Sequence, residues 1–264
     1  MESSNPVFKR GYAAMPGSRG RSAAPTVIDQ LEEQFNAPSA STIQTGRMTM
    51  EDVVARTTFL FLVLVASGGA AWYFNFGGGF LLIGFLGAFI LGMINSFSKK
   101  VRPALVIAYA AFEGVALGTL SHVYNTVYPG IISQAIIGTI AAFVGVLALY
   151  ANGKIRVTPQ FTRAMTAALI GYVVLGLFSM ISGAFGFGNG YGLYGVSGLG
   201  LLLCVGGVAL ASFFLIVDFD QIQQMIANNA PEQESWRAGF GLMVTVVWLY
   251  LEILRLLSIL RDER

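Results

Sequence analysis

SFFLIVDFDQI at 212–222 and VVWLYLEILRLL at 246–257 decide the fold of this chain. Both are apolar runs, and each carries a carboxylate inside it: Asp218 in the first, Glu252 in the second. A charge at the bilayer centre costs about 2.5–3.5 kcal/mol on insertion scales. Acids kept at that depth serve ions, protons or a paired gate, or are neutralised by a basic neighbour such as Arg255, three residues beyond Glu252.

Similar runs fill the chain from Glu51 onward. They lie at roughly 53–74, 79–97, 104–125, 130–151, 164–185, 196–219 and 237–260, each near the ~20 apolar residues that a span needs. Composition agrees: 55% of residues are hydrophobic, 11% are charged and mean hydropathy is +0.67, whereas soluble domains carry about 25% charge. The reading is an all-α integral membrane protein with seven transmembrane helices. Thr49 is placed to cap the first helix and Pro103 to open the third, where its missing N–H costs nothing. Residues 1–50 are rich in Ser, Ala, Pro, Gly and mixed charge, and read as a disordered tail. VIDQLEEQF at 27–35 is a short amphipathic piece within it. The polar start predicts no cleavable signal peptide. No repeat of 20–50 residues is visible.

Lys and Arg sort the loops into two kinds. Lys99, Lys100 and Arg102 follow the second run, Lys154 and Arg156 follow the fourth with Arg163 just beyond, and Arg237 follows the sixth. The loops after the first, third and fifth runs have neither residue. By the positive-inside rule the N-terminus is cytoplasmic. Seven full spans would put the C-terminus outside, whereas Arg255, Arg261 and Arg264 pull the other way, so a re-entrant last segment stays open. Gly114/Gly118 and Ala88/Gly92 are small residues four apart, which suit close helix packing within the chain.

The sixth and seventh runs form a hairpin whose turn lies near 228–235. Pro231 is its breaker, and Ser235 is midway between Asp218 and Glu252, a few residues or on the order of 5 Å from the turn centre, so the two acids are expected to meet or nearly meet. Two touching carboxylates share a proton. That makes a pH-sensitive latch, and the same oxygens suit a hard cation such as Ca²⁺. Asp220, two residues from Asp218, points to another helix face and is expected at the solvated end of the sixth run. Glu113 lies about ten residues into the third run, as an ion-path residue or an interhelical hydrogen-bonding one. His122 and the residues Trp72, Tyr73, Tyr124, Tyr128 and Trp236 read as interfacial anchors. Cys204, the single cysteine, reads as a small buried hydrophobe.

Net charge of +2 gives no case for nucleic acid. There is no phosphate-cradling glycine loop and no zinc-protease motif. Gly195-Val196-Ser197-Gly198 matches the short string of intramembrane serine proteases, but those use a later histidine, and the only one here is the earlier His122. The expectation is not an enzyme, with no cofactor.

DFDQI at 218–222, LYLEILRLL at 249–257 and EGVALGTLSHVY at 113–124 resemble the Bax inhibitor-1 family, the transmembrane Bax inhibitor motif proteins, over about 50–264. The polar tail together with NAPEQESWRAGFGL at 229–242 resembles its actinobacterial-type branch. The resemblance implies a last helix wrapped by the others in a bacterial plasma membrane. It also implies a pH-sensitive calcium leak whose gating acids fall on Asp218 and Glu252. The family commonly has aspartate at the second position. It implies, too, a basic partner from the end of the second helix, among Lys99, Lys100 and Arg102. The expected function is therefore a calcium or general cation leak channel or transporter. Its partners are the bilayer, Ca²⁺ or H⁺, and membrane proteins. The rival is a non-conducting scaffold that binds a membrane protease or other partner.

Overall fold

The computed structural model describes residues 46–153, 157–187, 192–195 and 198–262. The expected tail up to residue 45, the 27–35 piece, Lys154, Arg156, Val196, Ser197 and Arg264 lie outside the described residues. Seven long helices appear among those described: α1 Met50–Tyr73, α2 Gly78–Phe97, α3 Pro103–Val127, α4 Ile131–Ala151, α5 Pro159–Ala184, α6 Leu199–Ala227 and α7 Glu234–Asp262. All seven are long and apolar enough to cross a membrane. A 3-10 turn, Gly192–Gly195, precedes α6.

Local chemistry sets the helix starts. The Thr49 hydroxyl accepts from the Asp52 amide at 3.3 Å, and the Thr49 amide donates to the Asp52 carboxylate at 3.0 Å. This reciprocal pair opens α1. Prolines stand in the first turns of α3 and α5. Helix α6 runs two turns past its expected end at 219, because Gln221 to Ala227 contain no breaker before Asn228-Asn229. Asp220 therefore lies within the helix rather than at its end.

Helix α7 is the hub. Its Phe240, Met243 and Val247 pack with Leu60 of α1, Ala88 of α2 and Tyr109, Ala110 and Leu117 of α3. Its Leu242, Leu249, Ile253 and Leu254 pack with Ile131 and Ala135 of α4 and Ala211, Leu215 and Phe219 of α6. Two cores thus share one helix, as expected for a last helix wrapped by the others. Helices α2 and α5 stand at the rim, their many large apolar side chains exposed, a surface suited to lipid.

Helix α7 is also continuous. Twenty-nine residues span about 43 Å at 1.5 Å per residue. At its start, Arg237 donates to the carbonyls of Ser98 and Lys99 in the α2–α3 loop, at 2.9 and 3.3 Å. At its end, Arg261 donates to the Pro129 carbonyl in the α3–α4 loop at 2.9 Å and to Gln134 at 3.1 Å. These loops lie at opposite ends of α3. The last helix crosses fully and is not re-entrant.

Glycine permits the closest approach, between α1 and α3. A Cβ on Gly118 would collide with the backbone of Gly68, and one on Gly114 with the Leu64 carbonyl. Gly114/Gly118 are spent on packing inside the chain. Ala88 is buried, and Gly92 faces the Tyr109 ring.

Candidate functional site

The two acids that opened the sequence reading sit at different depths. The Thr245 hydroxyl donates to Asp218 Oδ2 at 2.6 Å. Thr245 is seven residues before Glu252, so Asp218 lies about two turns, on the order of 10 Å, below it. Glu252 instead faces Gly207, eleven residues back along α6 from Asp218: a Cβ on Gly207 would come within 2.7 Å of Glu252 Oε2. The structure does not bring the acids together. The reason is the offset from the turn centre. Helix α6 ends at Ala227 and α7 starts at Glu234, so the turn lies where it was expected with its centre near Pro231; the few residues from there to Ser235, midway between the acids, put Thr245 rather than Glu252 level with Asp218.

Glu252 is the most enclosed acid of the helices, 3% exposed. Its Oε1 accepts from the Trp248 indole N–H at 3.1 Å, one turn earlier. The Arg255 guanidinium stands 3.6 Å from the same oxygen. Oε2 is buried, with the Tyr172 hydroxyl of α5 as its neighbour. The Tyr172 hydroxyl of α5 borders the same notch at Gly207 and accepts from the Tyr194 hydroxyl at 3.0 Å. Across from Glu252, Arg255 lies over the Tyr194 ring, 4.5 Å from its centroid, within cation–π range.

Beside this cluster opens a cavity of about 1080 Å³ between α3, α5, α7 and the 192–195 turn. It reaches along α7 from Trp248 to Asp262, about 21 Å. Tyr124, Tyr128, Tyr172, Tyr194 and Trp248 line it, with Arg255 between. At its far end the Tyr128 hydroxyl donates to Asp262. Three acids thus stand at successive levels of α7: Asp218 of α6 beside Thr245, then Glu252 and Asp262 of α7 itself.

A family description, Bax inhibitor 1 like, matches residues 5–262. The chain belongs to the Bax inhibitor 1 like family. No curated protein matches it. In this family member the basic partner of the buried acid does not come from the end of α2. Among the described residues no ion pair joins Lys99, Lys100 or Arg102 to Asp218 or Glu252. The backbone of that loop is held by Arg237 at the start of α7, while Glu252 is served by Arg255 of its own helix.

The remaining expected residues fall elsewhere. Glu113 is half-buried on α3, facing the Tyr109 hydroxyl one turn back. Asp220 accepts from Gln224 at 2.5 Å on the rim of α6. His122 packs edge-on against Trp72, ring centres 5.2 Å apart, which ties α3 to α1. Cys204 is fully buried. Among the described residues no three His, Cys, Asp or Glu side chains cluster as a metal site. Thr245, Trp248, Tyr172, Tyr194 and Gly207 are site residues that the sequence reading missed. For Trp248 a signal was present: it lies four residues before Glu252, one turn away on the same face.

Proposed function

We propose that this protein is a pH-sensitive cation leak channel or transporter, with Ca²⁺ as the ion. It would sit in a bacterial plasma membrane with its N-terminus in the cytoplasm. It is not an enzyme and uses no cofactor. The observation that carries the reading is Glu252, a carboxylate buried deep in the hub helix and 3% exposed. Buried acids are expensive in a membrane and mark ion paths. Asp218 and Asp262 extend that path toward the two faces. Asp218 and Glu252 serve as separate stations rather than one proton-sharing latch. A protonated carboxyl holds a cation poorly, so deprotonation favours passage and flux rises with pH.

Reconstitution in liposomes loaded with a calcium dye tests this across pH 5–8. We expect entry that increases with pH, and a flat, low profile in the Asp218→Asn/Glu252→Gln variant. Folded protein without flux at any pH would sink the reading.

One observation favours the rival, a regulator that acts through its tail. The Met48 amide donates to the Ala230 carbonyl at 2.8 Å and the Glu232 amide to the Gly46 carbonyl at 2.9 Å, so the root of the tail pairs with the α6–α7 turn. Met48 is 2% exposed. Arg56 clamps the same turn through the carbonyl and carboxylate of Glu232 and the Ser235 hydroxyl. A membrane protein bound by the tail would therefore pull on the hairpin. Loss of function on deleting 1–45, with flux absent throughout, would favour the rival.

A further inference from the structure

A guanidinium already occupies a cation-friendly spot beside the cavity, and it belongs to the chain itself. Arg255 lies between the Glu252 carboxylate, 3.6 Å away, and the Tyr194 ring, 4.5 Å away. Its side chain is 40% exposed, whereas that of Glu252 is 4% exposed. Arg255 therefore stands between the buried acid and the open cavity. The cavity walls carry further ring faces, those of Tyr124, Tyr172 and Trp248, and a second acid, Asp262, at the far end.

The seat under Arg255 is built rather than incidental. Gly192 packs so closely on Ser179 of α5 that a Cβ would strike its carbonyl, and Gly192 has φ of +62°. The Leu193 amide donates to the Ser179 hydroxyl at 2.9 Å. Gly200 at the start of α6 leaves room for the Tyr194 carbonyl. These contacts fix the turn that carries Tyr194, and its hydroxyl bond to Tyr172 holds the end of the ring. Without Arg255, the spot would be a carboxylate with an aromatic wall, which is the chemistry that recognises an organic cation.

We propose that Glu252, Tyr194 and the adjoining cavity form a binding site for guanidinium-class organic monocations, and that Arg255 fills it as a tethered occupant. The tether blocks Glu252 from the cavity side. Any cation moving from the cavity to Glu252 must displace it. In its flux readout this rests on the leak reading; in its binding readout it does not.

The test uses full-length protein in which Trp72 and Trp236 are replaced by Phe, so that Trp248, bonded to Glu252, is the only indole. Guanidinium chloride at low millimolar concentration is the probe, with sodium chloride as the ionic-strength control. In the Arg255→Ala variant we expect saturable quenching of Trp248 by guanidinium. We expect none in the parent, and none in Arg255→Ala/Glu252→Gln. We also expect Arg255→Ala to pass Ca²⁺ several-fold faster than the parent, and guanidinium to bring it back toward the parent rate. Removing one partner of a buried pair weakens folding, so Tyr194→Leu is the second variant. It keeps the Arg255–Glu252 pair and removes only the ring, and its leak should rise about two- to five-fold.

Equal quenching in the parent and in folded Arg255→Ala would overturn the proposal. So would an unchanged leak in Tyr194→Leu from protein that conducts. Guanidinium binding to Arg255→Ala with no flux from any variant would uphold the site and defeat the leak reading.

Discussion

At the scale of single residues, the site depends on what is missing opposite Glu252. Gly207 has no side chain, and the carboxylate and the Tyr172 hydroxyl use that space. Gly207→Val should push Glu252 out of its place beside Trp248 and cut Ca²⁺ flux several-fold, at a stability cost of about 1–3 kcal/mol; calcium-dye flux and a thermal melt in detergent check both. Thr245→Val strips Asp218 of its hydroxyl donor at nearly constant volume. A helix-to-helix hydrogen bond in a membrane contributes about 0.6–1.7 kcal/mol, so a lower melting temperature is expected without loss of fold. Much of this scale was legible beforehand. An acid inside an apolar run is visible in any sequence, and both Asp218 and Glu252 are placed within the helix bundle. The partners were not legible, because Gly207, Tyr172 and Tyr194 reach Glu252 through the packing of α5, α6 and the 192–195 turn. An offset of a few residues between the hairpin centre and the midpoint of the acids was enough to replace an expected carboxylate pair with two separate acids.

At the scale of elements, helix ends followed from the sequence because caps and breakers are local. Thr49 and Pro103 mark starts that the structure places as expected, whereas α5 starts at Pro159, ahead of its apolar run. Helix α6 outruns its apolar run, which ends at 219, because Gln221 to Ala227 continue the helix up to the expected turn. The α1–α3 contact is the most sequence-specific pairing. Gly68, Gly114 and Gly118 bring two backbones together where any side chain would collide. Gly118→Leu should separate these helices and lower the melting temperature far more than Gly145→Leu, whose Cβ meets open space. Equal effects of the two would show that the close approach contributes nothing.

At the scale of the whole molecule, the positive loops and seven spans give an orientation that is simple to check. With the N-terminus inside, the end of α7 faces outside, so a cysteine at Asp262 in a Cys204→Ser background should react with an impermeant maleimide in intact cells. A cysteine at Asn228 should react only after lysis. The opposite labelling would reverse the membrane orientation while leaving the fold unchanged.

Helix α7 is tied by Arg237 to one loop of α3 and by Arg261 to the other. A rod pinned at both ends cannot slide along its axis without breaking both fastenings at once. The hub therefore behaves as a fixed axle rather than a piston. For the proposed leak, opening would then fall to the swing of Arg255 away from Glu252 rather than to a stroke of α7.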